Sequence, residues 1–167
     1  MVRRVRYAVS DCWLGTLVIA RTERGICAIL LGDDREVLLQ DLSRRFATAS
    51  LEQVDLSSDP MLVQAAALVE QPGRQCCPPL DLQGTRFQMR VWRELREIPA
   101  GHTTSYAGIA ARIGAPRAIR AVARACAANP LAVAVPCHRV LRTDGRVAGY
   151  RWGVERKQAL LARETAA

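Results

Sequence analysis

The hydrophobic pattern of this chain changes period once, at about Thr85, and that change divides it. Before it, residues 4–9, 16–20 and 25–31 are short runs rich in Val, Ile and Leu, separated by Asp11–Gly15 and Thr22–Gly25. Short apolar runs between turn residues predict an antiparallel meander. Asp33 is placed to cap a helix over 35–46, with Val37, Leu38, Leu42 and Phe46 near one face. A second helix is expected from Pro60 to Glu70, ended by Pro72-Gly73, with a last short strand at Leu80–Leu82. No set of groups in this half points to chemistry. Residues 1–82 therefore read as a small α/β support domain, an antiparallel sheet with helices.

Residues 83–167 read as a mainly helical second domain. Phe87, Val91 and Leu95 form a stripe that Ile98-Pro99-Ala100-Gly101 stops. Thr103 or Thr104 then starts a helix with Tyr106, Ile109, Ala110 and Ile113 on one face, and Gly114 breaks it. Pro116 suits the first turn of the next helix, expected over 117–127. There Ile119, Val122, Ala123 and Cys126 make an apolar face, while Arg117, Arg120 and Arg124 line the other side beside the small Ala121 and Ala125. Two helices about a glycine turn, the second basic outside, read as a helix-turn-helix. An ordinary solvated face on an alanine-rich helix gives the same pattern. Charge placement separates the two. Residues 1–84 carry nine Arg against eleven Asp and Glu, a balance of −2; residues 85–167 carry fifteen Arg and Lys against five Asp and Glu, a balance of +10. A basic half beside a slightly acidic one suggests that only the second half meets an anionic polymer.

The chemistry-bearing stretch is Val133-Ala134-Val135-Pro136-Cys137-His138-Arg139-Val140. Proline stiffens the backbone ahead of a cysteine, the strongest side-chain nucleophile once it is a thiolate, and His138 is one of only two histidines. A buried, inert cysteine fits the bare dipeptide equally well, since neighbouring side chains in a strand face apart. In the last helix, expected from Val154 to Thr165, Lys157, Leu160, Leu161 and Glu164 share one stripe. An inward carboxylate is costly without a partner, although fraying of the C-terminus would leave it in water. Cys137, His138 and Glu164 are together the parts of a nucleophile–base–acid relay, for which a cysteine hydrolase is the competing enzyme reading. A basic helix just ahead of the nucleophile argues that the reactive atom belongs to DNA.

Pro136-Cys137-His138-Arg139-Val140 resembles the active-site signature of the O6-alkylguanine-DNA alkyltransferases. The resemblance extends through Gly84–Gln88, Ile98–Gly101, Thr104-Ser105-Tyr106, Arg120-Ala121-Val122, Asn129-Pro130, Gly149-Tyr150 and Leu160–Glu164. Glu23–Gly32 and Gly149–Val154 resemble the bacterial adaptive-response branch of that family. The likeness implies a ribonuclease H-like first domain and a helix-turn-helix that enters the minor groove. It implies single-turnover transfer of an alkyl group from guanine O6, and from thymine O4, to Cys137. His138 would act as base through a water, oriented by Glu164, and Arg120 would fill the space left by the flipped nucleotide. Tyr106 would crowd the 3′ phosphate and give a proton toward guanine N3. Asn129 would fix the turn before the active-site strand, and the backbone at Cys137 and Val140 would read the base edge. Tyr150 would wall the pocket, with Arg151 and Trp152 following. Trp152 stands where many relatives have glycine, so an indole at the pocket mouth is expected to admit methyl and resist benzyl; the alternative is that Trp152 only packs on the C-terminal helix beside Leu160. The partner implied is double-stranded DNA carrying O6-alkylguanine, bound by a monomer. A helix-turn-helix regulator without alkyl transfer is the alternative function. The adaptive-response branch's regulatory metal-binding domain has no counterpart in this sequence, so repair without the transcriptional switch is expected.

No run is apolar enough to span a membrane, and Met-Val-Arg-Arg-Val-Arg leads into a strand-like segment and not a secretory core. Cysteines fall at 12, 27, 76, 77, 126 and 137, with no C-x-x-C pair and no convincing set of four zinc ligands. No metal, no cofactor and a reducing cytoplasm are expected.

Overall fold

The computed structural model describes residues 2–166, which form two compact units. One comprises residues up to Leu82 together with Pro130–Ala134; the other comprises Gln83–Asn129 together with the chain from Val135. The first is a sheet domain and the second a helical one.

In the first unit β1 (Arg4–Cys12), β2 (Gly15–Arg21) and β3 (Ile26–Gly32) pair antiparallel in sequence order. The sheet is mixed, however, because a fourth strand, β4 (Ser50–Gln53), adds parallel to β1 at the edge. Ser-Leu-Glu-Gln has neither length nor apolar alternation to announce a strand; pairing supplied by β1 makes it one. Val18, Ile19 and Ala20 of β2 and Ile26–Leu31 of β3 are continuously buried, the pattern of strands covered on both faces. Helix α1 (Arg35–Arg45) buries Leu38 and Leu42, and α2 (Pro60–Glu70) buries Leu62, Ala65, Leu68 and Val69. The α1 cap is Asp34 and not Asp33, because its carboxylate reaches the N–H groups of Glu36 and Val37, two and three residues on. Val37 consequently faces water, at 58% exposure.

The free edge of β3 is closed by irregular chain. Ile26 exchanges backbone bonds with Pro79 and Asp81 (2.8 Å each), and Ile29 with Pro130 (2.9 Å) and Ala132 (3.1 Å). The expected strand at Leu80–Leu82 is thus a single bridge, Leu80 to Ile26. The second bridge, Leu131 to Ile29, holds the residues that lead into Cys137.

The second unit contains α3 (Arg86–Arg96), β5 (Thr104–Ser105), α4 (Tyr106–Arg112), α5 (Ile119–Ala127), β6 (Val140–Leu141) and α6 (Val154–Ala166). Thr85 and Gln88 close a reciprocal capping box at the head of α3. The cap of α4 is Ser105 and not Thr103 or Thr104, because the chain stays extended through Thr104-Ser105 and turns helical only at Tyr106; the Ser105 Oγ accepts from the Gly108 N–H at 2.9 Å. Gly114, at φ +72°, and a turn through Pro116-Arg117 separate α4 from α5. Arg117 therefore precedes α5 and does not lie on it. Helix α5 buries Val122, Ala125 and Cys126, whereas Ile119, expected inside, is 42% exposed at the helix start. Trp92 of α3 donates its indole N–H to the Ala125 carbonyl at 2.9 Å, which fixes α5 against α3.

Candidate active site

Cys137 does not lie on a strand. Residues Cys137–Arg139 form one 3₁₀ turn that leads directly into β6. Ahead of it the chain folds through two very tight turns, Ala134 N–H to Ala132 O at 2.7 Å and Cys137 N–H to Val135 O at 2.8 Å. Val133 has φ +68°, a left-handed conformation that costs a β-branched residue about 1–3 kcal/mol. Asn129, fully buried, offsets this locally. Its Nδ2 donates to the Val135 carbonyl at 2.8 Å and to the Cys137 Sγ at 3.3 Å. One amide therefore sets the turn and the orientation of the sulfur together.

His138 and Glu164 meet. The ring Nε2 lies 2.7 Å from Glu164 Oε1, with side-chain exposures of 0% and 1%. Arg139 completes the cluster: its Nε reaches both carboxylate oxygens at 3.2 and 3.0 Å, one terminal nitrogen reaches Oε1 at 2.7 Å, and the other reaches the Ile98 carbonyl at 2.6 Å. Burial alone would raise the Glu164 pKa, but the bonds from His138 and Arg139 reverse this and hold it at about 2. Burial lowers the pKa of His138 despite Glu164, so the imidazole is neutral near pH 7. With Nε2–H donating to an ionised Glu164, Nδ1 carries the lone pair. It is buried and has no hydrogen-bond partner within the protein. A neutral imidazole with one nitrogen anchored and the other unpartnered has the make-up that a general base requires.

Cys137 opens into a cavity of about 350 Å³. Helix α5 contributes Ala123, Cys126 and Ala127; Tyr106 and the chain from Ala148 to Arg151 supply the rest of the wall. Burial raises the Cys137 pKa, opposed by the Asn129 amide, then by Lys157 and Arg151. The sulfur at rest is a thiol, with donors and cations placed to favour the thiolate once the proton leaves. Lys157 is fully buried, its Nζ 3.4 Å from the Tyr106 hydroxyl and 5.8 Å from that ring's centre. Burial, with smaller contributions from Cys126 and Cys137, raises the Tyr106 pKa to about 12. That phenol keeps its proton at neutral pH and can donate it.

The structure thus brings Cys137, Tyr106, Tyr150 and Arg151 to one cavity, with Asn129 behind the sulfur and His138–Glu164 beneath the same turn. Two expected pocket residues take other places. Val140 is fully buried in β6 and does not line the cavity. Trp152 does not stand at its mouth: it is 5% exposed, edge-to-face with Tyr150 at 5.3 Å, and covered by the Arg151 guanidinium at 5.6 Å from its ring centre. The indole is a wall behind the wall. Arg120 and Arg124 are exposed on α5, with Ala121 between them half-buried; Arg117 is exposed in the turn before it.

Sequence reasoning missed three participants. Arg139 was one position from the relay, but nothing in its spacing says that it folds back onto Glu164. Lys157 was legible as an inward cation on the Glu164 stripe, a costly placement that calls for a reason. Cys126 was assigned to packing and also lines the cavity. Among the described residues no group of three or more His, Cys, Asp or Glu could hold a metal ion, and no helix is long and apolar enough to cross a membrane.

Residues 86–166 match the family model of the 6-O-methylguanine DNA methyltransferase DNA binding domain, and residues 5–71 that of its ribonuclease-like domain. The bifunctional transcriptional activator/DNA repair enzyme Ada of Escherichia coli is 51% identical over 160 residues, 96% of this chain and 45% of that protein. The chain thus spans about half the length of such curated relatives. The inducible methylated-DNA–protein-cysteine methyltransferase of Bacillus subtilis is 38% identical over 146 residues, 86% of this chain and 80% of that protein. Among solved structures, Mycobacterium tuberculosis OGT in complex with DNA superposes with a TM-score of 0.78 at 33% identity, covering 96% of this chain and 93% of that one.

Proposed function

The chain belongs to the 6-O-methylguanine DNA methyltransferase family, and on that premise we propose that it repairs DNA directly, moving an alkyl group from guanine O6 to the sulfur of Cys137. The observation that carries the reading is the cavity in which a buried thiol, oriented by Asn129, lies on the same turn as a neutral His138 anchored by Glu164. The thiol proton passes to His138 Nδ1 through one water. The thiolate attacks the alkyl carbon, the S–C bond forms, the C–O6 bond breaks, and the electron pair returns to the guanine. The base takes up a proton, for which Tyr106, a phenol with Lys157 beside its oxygen, is the donor. Guanine is restored and Cys137 becomes a thioether. No group in the site reverses a thioether, so each molecule acts once.

An alkyl group on O6 lies inside the base stack, so the nucleotide must leave the duplex. The α4–turn–α5 pair is the helix-turn-helix for this, set in the minor groove; the small Ala121 lets α5 approach, and exposed Arg120 enters the space vacated by the base. Arg117 and Arg124 hold phosphates. Residues 1–82 serve as a ribonuclease H-like support domain, and residues 83–167 bind DNA and carry the transfer. O4-alkylthymine is a second substrate of the same displacement. Free thiols at the site suit a reducing compartment, the cytoplasm. Incubation with a duplex carrying one O6-methylguanine tests the reading. Repair should stop at one equivalent of protein; continued turnover, or no repaired guanine, would refute it.

A further inference from the structure

Helix α5 leaves outside a side chain that its apolar pattern would bury. Ile119, the first residue of the helix, is exposed; among the described residues the other exposed large apolar side chains are all valines. A single exposed isoleucine means little by itself. Its position means more. Ile119, Ala123 and Ala127 recur every four residues and so share one stripe of α5. Ala123 and Ala127 line the cavity that holds Cys137, so the stripe runs from the cavity wall to Ile119, one turn beyond it. Over four residues a helix rises about 6 Å, less than two base steps of a duplex at about 3.4 Å each. Arg120 and Arg124 are exposed on the adjoining stripe, and Arg117 in the turn ahead of Ile119. A bulky apolar group thus stands among guanidinium groups, one helical turn from the reacting sulfur's cavity.

We propose that Ile119 is an apolar wedge: it enters the minor groove against the sugars and base edges beside the flipped nucleotide, and keeps the stack from closing while Arg120 fills the gap. The inference rests on the transfer reading above and names a further residue for extrusion. Charge complementarity identifies the occupant. The arginines of the adjoining stripe suit the two phosphate rows of a duplex, and the groove floor between those rows offers apolar sugar and base edges. An aliphatic side chain gains there by leaving water and gives up no hydrogen bond. Contact of this kind offsets part of the cost of unstacking a base step. Isoleucine is also stiff, because branching at Cβ holds χ1 in one main rotamer on a helix, so it can press on the stack without first losing freedom. The small Ala121 and Ala123 beside it let the helix come close enough for the wedge to reach.

The test uses the full chain and one O6-methylguanine oligonucleotide in two forms, paired in a duplex and single-stranded, where no base pair has to open. The readout is the ratio of duplex to single-strand transfer rates within each variant, so that a general loss of activity cancels. Ile119→Ala should lower that ratio roughly tenfold, the factor for withdrawing about two CH₂ groups of apolar contact, and leave the single-strand rate unchanged. Ile119→Met, which keeps the apolar bulk, should retain most of the ratio. A mismatch next to the O6-methylguanine loosens the stack in advance and should rescue Ile119→Ala on the duplex. An unchanged ratio in Ile119→Ala, or equal losses on the two forms, would make Ile119 an ordinary surface residue and overturn this inference alone. Failure of the mismatch to rescue would overturn it as well. Absence of transfer from both forms by the unmodified protein would overturn the transfer reading and this inference with it.

Discussion

Replacing Glu164 by glutamine keeps the shape of the relay and removes its charge. In the folded protein this carboxylate accepts from His138 at 2.7 Å and from two nitrogens of Arg139, one at 2.7 Å, and its pKa is held at about 2 against an ordinary 4.5. Each pKa unit corresponds to about 1.4 kcal/mol, so the ionised form is worth about 3 kcal/mol to folding. A depressed carboxylate pKa stabilises above the unfolded value of 4.5 and ceases to do so as pH falls through about 2. The mutant leaves the Arg139 guanidinium, 7% exposed, without its counter-charge, a loss of the kind that costs about 3–5 kcal/mol when a buried pair is broken. We therefore expect Glu164→Gln to lose about 3 kcal/mol at pH 7 in urea unfolding, and to lose less stability than the parent between pH 4.5 and 2. Transfer should be slower but present, since His138 remains a base with a poorer anchor, and His138→Ala should cost more. Equal stability of parent and mutant at pH 7, or parallel stability–pH curves across that acid window, would refute the electrostatic account of the cluster.

Other substitutions separate the remaining roles. Cys137→Ser should abolish transfer while duplex binding persists, measured by anisotropy on an O6-methylguanine duplex, because oxygen at an unlowered pKa is a poor nucleophile. Arg120→Ala should slow repair of the duplex far more than repair of free O6-alkylguanine; equal losses would make it only a phosphate contact. Lys157→Met removes a cation that lowers the Cys137 pKa, so its pH–rate profile should move to higher pH; an unmoved profile would exclude an electrostatic role. Trp152→Gly should destabilise by about 3–5 kcal/mol, as expected for loss of a buried indole, and should sensitise the protein to O6-benzylguanine only through a loosened Tyr150. Gained sensitivity at unchanged stability would instead place the indole at the mouth.

Much of this fold is written in local pattern. The runs that became β1 to β3 and the stripes of α3 and α6 were legible because each element carries its own apolar period. β4 was not, since a four-residue edge strand is made by its neighbour. The same division runs through the site. Cys137, His138 and Glu164 could be paired on paper because an inward carboxylate demands a partner and a cysteine–histidine pair lacks only an acid. Arg139 could not be added, as its contact with Glu164 depends on how one 3₁₀ turn aims three successive side chains. Trp152 was misplaced for a related reason: residue type predicts a bulky wall but not which layer of it, and the Tyr150 edge contact decides that. Arg117 was counted as helical because Pro116 suits a first turn; the turn through Gly114 uses more residues than its sequence declares.

The central claim is that the sulfur of Cys137 is the acceptor, and adduct mapping reads it directly. After incubation with an O6-methylguanine duplex, intact-protein mass spectrometry should show one methyl group in place of one hydrogen, and peptide mapping should put it on Cys137. A methyl group found instead on Cys126, in the same cavity, or on the exposed Cys76 or Cys77, would contradict the account.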